Sequence, residues 1–208
     1  SKLPFANHAS LNVLWNVSYS ITHTSENDII QFFEKEKAEK IFKELHSISD
    51  SSQIVLNTDN PNIIIIIWES LSAKVVAPLG GMDSITSNLN RLMHEGILFR
   101  NFYANGDRSD KGIVAVLSGY PAQPTQSIIK FANKTQSLSF LSKDLKNKGY
   151  SSSFYYGGDI DFANMRSYFL NGEFDEIFEL DDFPENERNS KWGVHDHGVF
   201  DRLLNDIK

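Results

Sequence analysis

The chain has 208 residues, of which 40% are hydrophobic, and its formal net charge is −7 at neutral pH. This length and composition fit one globular domain, or one domain with an additional arm. The excess of acidic side chains argues against a nucleic acid partner, which requires a basic surface. Because the chain contains no cysteine, disulfides, thiolate metal sites and cysteine nucleophiles are excluded. The longest apolar run, residues 63–68, is far shorter than the roughly 20 residues that span a bilayer.

Residues 1–59 are predicted to form a helical arm followed by a linker. A helix is expected over residues 25–46, because Ser25 and Asp28 resemble a capping box ahead of an apolar stripe. The stripe consists of Ile29, Phe32, Phe33, Ile41, Phe42 and Leu45. Residues 46–62 are rich in Ser, Asn and Asp, which is typical of a linker. The apolar residues within 1–24 show no clear helical or strand period.

Residues 60–208 are predicted to form an α/β domain with a mostly parallel sheet between helices, because strands alternate with helices from Pro61 onwards. Five consecutive isoleucines at 63–67 have the pattern of a central parallel strand that is buried on both faces. The other predicted strands are 97–103, 150–156 and 174–180. The predicted helices are 84–95, 110–118, 135–148, 161–170 and 196–207. Their sequences predict N-caps at Ser109, Thr135 and Asp196.

A carboxylate, Glu69, directly follows the isoleucine run and Trp68. Open α/β sheets bind ligands beyond the carboxyl ends of their strands. A charge at the end of a buried strand is costly unless a cation meets it there, and a hard divalent metal is the simplest such cation. Glu69 could equally cap the following turn or pair with an arginine, and its position alone leaves these alternatives open.

Residues 105–112 lie between a predicted strand and a predicted helix, and Ser109 falls at the start of that helix. Its hydroxyl would lie beside free backbone N–H groups, which attract anions and could hold a phosphate. A plain serine N-cap, worth about 1 kcal/mol, explains the same pattern. After the strand at 150–156, Gly157, Gly158 and Asp159 either allow a ligand close to the backbone or form an ordinary tight turn.

Together these segments resemble the lipoteichoic acid synthase-like branch of the sulfatase family, within the alkaline phosphatase superfamily. The similar segments occur in the order found in that family, and the resemblance covers about residues 62–208. They are 62–71, 89–92, 96–103, 108–110, 117–121, 137–150, 156–159 and 191–196. The resemblance implies that these residues form the N-terminal half of a sulfatase-like catalytic domain.

The resemblance also implies roles for individual residues. Ser109 is expected to be the nucleophile and, with Glu69, a ligand of one divalent metal ion (Mn²⁺, Mg²⁺ or Zn²⁺). The two should therefore lie close together at the carboxyl edge of one sheet. The implied substrate-binding residues are Arg108, Gly158, Asp159, Arg166 and Trp192. The chain departs from the branch in having Ser109 where threonine is common, and Tyr156 where a histidine often stands.

The implied reaction is transfer of a phosphoryl or phosphoglycerol group from a phospholipid headgroup through a covalent Ser109 intermediate. The resemblance also implies a membrane anchor upstream of Ser1 and a catalytic domain outside the cytoplasm. The family's remaining Asp and His metal ligands are expected beyond Lys208, so these residues alone should be inactive, with an incomplete metal site and a tendency to self-associate. A phosphatase, a phosphoethanolamine transferase, a sulfuric-ester hydrolase and a non-catalytic binding domain remain as alternatives.

Two further motifs bear on these alternatives. True sulfatases carry Cys/Ser-x-Pro-x-Arg, whereas residues 109–113 read Ser-Asp-Lys-Gly-Ile, which argues against formylglycine chemistry. His195, Asp196 and His197 look like the Asp-His pair that supplies later metal ligands in the superfamily. No buried strand precedes them, however, so the two histidines are expected to be exposed and Asp196 to be the N-cap of the last helix.

Overall fold

The structure, a computed structural model, describes residues 12–22, 32–47, 54–124 and 126–208. The chain divides into two compact units, Ser1–Ile63 and Ile64–Lys208, and each is described by itself. Across the described ranges, no helix combines the length and the apolar character needed to cross a membrane.

The Ser1–Ile63 unit contains two described helices, α1 (Val13–Thr22) and α2 (Lys35–Leu45). The sequence did not predict α1, because residues 1–24 lack a clear period. The helix predicted over 25–46 is confirmed only in its second part. It begins at Lys35 and not earlier, since Glu34 is extended and Phe32 and Phe33 are not helical, while Ser25, Asp28 and Ile29 lie outside the described residues. The first helical residues alternate lysine and glutamate, and ion pairs four residues apart support them.

The Ile64–Lys208 unit contains six α-helices in its described part. They are α3 (Ser87–Glu95), α4 (Ser109–Ser118), α5 (Ala132–Thr135), α6 (Leu141–Lys146), α7 (Met165–Asn171) and α8 (Asp196–Asp206). Short 3₁₀ turns connect them at Ala73–Val75, Ala77–Leu79, Ile128–Lys130, Phe162–Asn164, Leu180–Asp182 and Glu185–Glu187. The helices predicted at 84–95, 110–118 and 196–207 are confirmed to within a few residues.

The predicted N-caps are wrong at all three positions. Ser109 and Asp196 are the first helical residues, and the extended residues before them, Arg108 and His195, are the N-caps. Thr135 ends α5, and the helix predicted over 135–148 begins only at Leu141. The Thr135 hydroxyl donates back to the carbonyl of Ala132 at 3.0 Å, a local bond that competes with helix propagation.

The helix predicted over 161–170 begins four residues late, at Met165. Ala163 and Asn164 have φ angles of 54° and 64°, in the left-handed region, so the backbone kinks before α7. Asn164 is held in this conformation by a 2.8 Å hydrogen bond from its side-chain amide to the carbonyl of Ile129.

The sheet of the described residues consists of β1 (Ser153–Tyr155) and β2 (Glu176–Phe178), which pair in parallel with Phe154 opposite Ile177. The strands predicted at 150–156 and 174–180 are therefore confirmed, although each is shorter than predicted. Helix α7 lies between them in sequence, which makes this a β-α-β unit. This parallel pairing through a helix is the local signature of an α/β fold.

The strands predicted at 63–67 and 97–103 are not formed in the structure. The five isoleucines were expected to be buried on both faces, but each is between 42% and 62% exposed. Phe99, Phe102 and Tyr103 are more exposed still. An apolar run predicts only that a segment is stabilised by burial. A strand also needs a backbone partner, and within the described ranges neither segment has one.

The core packs α4 and α7 against β1. Phe154 stacks on Phe169 with ring centroids 3.7 Å apart, and Tyr168 meets Phe140 at 5.0 Å. The hydroxyls of Ser118 and Tyr168 lie 2.6 Å apart, which ties the end of α4 to α7. Burial raises the pKa of the Tyr168 phenol to about 12. The phenol therefore remains neutral and hydrogen-bonded inside the core.

Replacing Tyr168 with Phe should lower the free energy of unfolding by about 1 kcal/mol, because the Ser118 hydroxyl then loses its buried partner. The folded pKa of Tyr168 lies above its ordinary value of 10, so the wild-type phenol contributes stability below pH 10 that is lost as the pH rises towards 12. The Phe variant lacks this pH-dependent component. Urea unfolding across this pH range measures both effects.

Tyr103→Phe is the control, because the side chain of Tyr103 is 80% exposed. It should unfold at the same urea concentration as the wild-type protein. If Tyr168→Phe also matched the wild-type protein, the Ser118–Tyr168 bond would contribute nothing to stability.

Candidate functional site

The start of α4 presents Ser109 to solvent. Ser109 is exposed and is the first helical residue after the extended Arg108. The carbonyl of Arg108 accepts hydrogen bonds from the N–H groups of Lys111 and Gly112. Within the described part of the chain, no other side chain bonds the Ser109 hydroxyl. A free hydroxyl therefore stands at the positive end of a ten-residue helix.

The backbone around Ser109 is held closely against Ala122 and Ser127. A Cβ atom on Gly106 would lie 2.9 Å from the Cβ atoms of both Ala122 and Lys111, so only glycine fits there. The Asn105 side chain accepts a hydrogen bond from the N–H of Ala122. The Ser127 hydroxyl donates to the carbonyl of Asp110 at 2.9 Å. These contacts fix the backbone on both sides of the serine.

Opposite charges alternate on either side of Ser109. The Lys111 amine bonds Asp107 at 2.9 Å, and this hydrogen bond is the main reason why the pKa of Asp107 lies below its ordinary value. Arg108 Nε lies 3.8 Å from Asp110 Oδ1, a buried oxygen that has no hydrogen-bond partner among the described residues. Sequence reasoning missed Asp107, Asp110 and Lys111. Asp107 and Lys111 are an acid and a base four residues apart, one on each side of the candidate nucleophile. This spacing could have indicated the ion pair between them.

At the carboxyl end of β1, Gly157 and Gly158 allow the segment 190–194 to approach closely. The N–H of Val194 donates to the carbonyl of Gly157 at 2.7 Å, and that of Leu180 donates to the carbonyl of Gly158 at 3.1 Å. A Cβ atom on Gly158 would lie 3.0 Å from the carbonyl oxygen of Trp192 and 2.9 Å from the ring of Tyr156. The two glycines therefore serve this packing.

Asp159 and Arg166 belong to one hydrogen-bonded network. Asp159 accepts from the N–H of Asp161 at 2.8 Å. Arg166 donates to Asp161 at 2.6 Å and to Glu179 at 2.8 Å. These two hydrogen bonds, first the one to Asp161 and then the one to Glu179, raise the pKa of the guanidinium. Arg166 thus stays charged, with its orientation set by two carboxylates. Neither Asp161 nor Glu179 was singled out from the sequence.

Trp192 is exposed beside this network, with 71% of its surface accessible. Its ring meets Phe162 edge-on with centroids 6.2 Å apart, and the Lys191 amine lies 5.3 Å from its centroid. These contacts leave most of the indole open to solvent at the carboxyl end of the sheet.

Glu69 is exposed in a turn in which Ser70 has a φ of 58°. Burial is the main reason why the pKa of Tyr156 is raised, and the charges of Glu69 and then Asp159 add to the effect. The structure therefore brings Glu69 into the surroundings of Tyr156 and Asp159. Tyr156 stands where a histidine was expected from the resemblance.

Gly158, Asp159, Arg166 and Trp192 are thus brought together around the end of β1. Among the described residues, no hydrogen bond, ion pair or ring contact joins Ser109 or Arg108 to this group. The expected proximity of Glu69 and Ser109 stays a prediction.

The exposure predicted for His195 and His197 is confirmed. Their rings lie nearly parallel with centroids 5.8 Å apart, beside a cavity of about 180 Å³ that Glu187 and Asp201 also line. Over the described ranges, no three His, Asp or Glu side chains are arranged to hold a metal ion.

The sulfatase family model matches residues 61–207. The chain belongs to the sulfatase family. It is 29% identical over 149 residues to lipoteichoic acid synthase 2 of Bacillus subtilis (strain 168), an alignment that covers 68% of this chain and 22% of that protein. The chain therefore spans about a fifth of the length of this curated relative.

Two solved structures support the α/β fold, and the first of them also supports the place of the chain in the alkaline phosphatase superfamily. A superfamily protein from Vibrio parahaemolyticus has a TM-score of 0.61 and 35% identity, covering 66% of this chain and 34% of its own. The lipoteichoic acid synthase LtaP from Listeria monocytogenes has a TM-score of 0.55 and 15% identity, covering 60% of this chain and 30% of its own. At that identity the second match supports the fold alone. The predicted fold class and the resemblance to the lipoteichoic acid synthase-like branch are confirmed.

Members of this superfamily generally use a divalent metal. Glu69 offers a carboxylate oxygen and Ser109 a hydroxyl oxygen, and both side chains are exposed. Oxygen donors of this kind suit hard cations such as Mg²⁺ and Mn²⁺. In chemical type, the two residues fit the implied metal.

Gly157→Ala should lower the free energy of unfolding by about 1–3 kcal/mol, because the added Cβ atom would lie 2.6 Å from the carbonyl oxygen of Val194. Gly112→Ala is the matched control, since a Cβ atom there meets nothing within 4 Å in the interior of α4. It should raise the free energy of unfolding by about 0.5–1 kcal/mol. Chemical denaturation measures both changes. Equal stability of the two variants would contradict the close packing at Gly157.

Proposed function

We propose that this chain forms part of a metal-dependent enzyme that transfers a phosphoryl or phosphoglycerol group from a phospholipid headgroup through a covalent intermediate on Ser109. The observation that carries the proposal is the exposed hydroxyl at the N-terminus of α4, on a backbone held from both sides. A plain N-cap does not explain this position, because the cap of α4 is Arg108 and Ser109 is free to react.

In the first step, the Ser109 oxygen attacks the phosphorus of the donor headgroup. The Ser109 hydroxyl gives up its proton and bonds to phosphorus as the bond from phosphorus to the lipid oxygen breaks, and the departing alcohol takes up a proton. In the second step, an acceptor hydroxyl or a water gives up a proton as it attacks the same phosphorus. The bond to Ser109 then breaks, and the Ser109 oxygen takes up a proton. A divalent ion held by Glu69 and Ser109 would lower the pKa of the hydroxyl and offset negative charge on the transferred group.

The chain's own groups complement this chemistry. The free N–H groups at the start of α4 favour an anion beside Ser109, and Arg108, whose side chain is 64% exposed, adds a positive charge there. Asp159, Arg166 and Trp192 offer a carboxylate, an oriented guanidinium and an exposed indole at the end of β1. Together with the backbone of Gly158, they suit the binding of a polar headgroup. We assign them to the substrate.

We also propose that the full-length protein is anchored in a membrane through sequence upstream of Ser1 and acts outside the cytoplasm. The support is the similarity to lipoteichoic acid synthase 2, because a lipid donor requires an enzyme that works at a membrane surface.

Incubating the full-length protein with Mn²⁺ and individual phospholipids should add the mass of a phosphoryl or phosphoglycerol group to Ser109. Intact-mass and peptide analysis locate the increment, and its size identifies the donor. Ser109→Ala should abolish it while the fold persists, because a serine in the first turn of a helix contributes at most about 1 kcal/mol. Glu69→Gln should weaken the dependence on Mn²⁺.

Ser87→Ala is the matched control, since Ser87 is exposed and is the first residue of α3. It should retain the full increment. If Ser109→Ala retained the increment, Ser109 would not be the nucleophile. If no donor modified the wild-type protein, a non-catalytic binding domain would be favoured. Release of free phosphate in place of a transferred product would indicate a phosphatase.

A further inference from the structure

Lys111 is a buried lysine two residues after the candidate nucleophile, and only 8% of its side chain is exposed. Lysine is rarely buried this deeply unless its ammonium is paired. Here Asp107 Oδ1 bonds the ammonium at 2.9 Å, while the Asp107 side chain itself is 77% exposed. The aspartate therefore covers the lysine from the solvent side. The two partners are four positions apart in sequence, and Ser109 lies midway between them.

Stability alone does not account for this arrangement. Withdrawing an ammonium from water costs free energy that one ion pair repays only in part, so an apolar side chain of similar length is often as stable at such a position. Met would fill the space beside Val114 and Ile128 without that cost. Residues that depart from the locally most stable choice tend to occur at functional sites.

The surroundings of Lys111 prevent it from reaching a substrate. Its amine is held by Asp107, and the cavity beside it, which Tyr120, Gln123 and Ser127 also line, measures about 10 Å³. Such a volume holds no more than one water molecule, so a phosphoryl group does not fit. The lysine must act through the backbone that it supports.

That backbone is the segment that carries Ser109. Gly106 is packed against the Cβ atom of Lys111, and the Lys111 N–H bonds the carbonyl of Arg108. The Asp107–Lys111 bond joins the loop before Ser109 to the helix after it. Loss of the Asp107–Lys111 bond would let the first turn of α4 shift relative to the loop. The Ser109 oxygen would shift together with that turn.

We propose that Asp107 and Lys111 are positioning residues that hold the Ser109 hydroxyl in its reactive place. This inference rests on the proposed role of Ser109 as nucleophile. Neither residue touches the transferred group, and the lysine acts through its bond to Asp107. The effect appears in the rate of Ser109 phosphorylation and not in donor binding, because a small displacement of a reacting atom slows the chemical step.

The test compares Lys111→Met, Asp107→Asn and Lys111→Arg in the full-length protein, with the single-turnover rate of Ser109 modification as the readout. Lys111→Met and Asp107→Asn should each lower the rate about 10- to 100-fold. The donor KM should stay within about twofold in both variants. The melting temperature should not fall in Lys111→Met, whereas it should fall in Asp107→Asn, which leaves the buried ammonium without a counter-charge. Lys111→Arg keeps the charge and should recover most of the rate.

Arg91→Met is the matched control, because it breaks an exposed ion pair of the same spacing in α3. It should change neither the rate of Ser109 modification nor the donor KM.

Two results would overturn the proposal. An unchanged rate in Lys111→Met would show that the pair is unnecessary. A normal rate in Asp107→Asn beside a slow Lys111→Met would show that the lysine acts directly and not through its partner.

A measurement that does not depend on activity separates this inference from the proposed function. Hydrogen exchange of the amides of residues 111–113 should be faster in Asp107→Asn and Lys111→Met than in Arg91→Met. If the wild-type protein forms no adduct on Ser109, the proposed function fails, and with it the link to catalysis. Unchanged exchange in both variants would overturn the positioning role itself, whatever the activity.

Discussion

The parallel pairing of β1 with β2 is the constraint on which the described part of the Ile64–Lys208 unit depends. Parallel strands cannot be joined by a tight turn, so the chain between them must cross over, and here it does so through α7. The crossover places Phe169 against Phe154 and Tyr168 against α4, which assembles the core. It also brings the ends of both strands to the same edge.

The chemistry at that edge follows from the same crossover. Gly157 and Gly158 follow the end of β1, and Glu179 follows the end of β2. Arg166, at the start of α7, donates a hydrogen bond to Glu179. The guanidinium is therefore oriented by a carboxylate that directly follows β2. The missing side chains of the two glycines let the segment before α8 close over the end of β1. An exposed indole and a charged guanidinium thus share one surface because two strands end together.

The start of α4 is built differently, from local charge and close backbone contact. Asp107 and Lys111 join the loop to the helix. Gly106 packs the loop against Ala122, and the Ser127 hydroxyl bonds the first turn of α4. The serine at the centre is held by its neighbours and is itself left free. Such preorganisation suits the proposed transfer reaction, because positioning and electrostatics supply most of the catalysis in phosphoryl transfer.

The sequence by itself determined the α/β class, the parallel strands at 150–156 and 174–180, and the helices around Ser109 and at the C-terminal end of the chain. Each of these depends on local periodicity, which the sequence displays directly. The family resemblance also implied Gly158, Asp159, Arg166 and Trp192 as substrate-binding residues, and the structure brings these four together.

Only the tertiary structure decided the features that depend on distant partners. The isoleucine run carries the signal of a buried strand, yet its exposure depends on whether another backbone pairs with it. Residues 161–164 look helical, but a contact from Asn164 to Ile129, far away in sequence, fixes a left-handed kink there. Lys111 reads as a surface lysine, and its burial follows from packing against the loop at Gly106. The physical reason is the same in each case: local sequence sets the intrinsic preference of a segment, while burial and pairing energies come from partners that only the folded chain supplies.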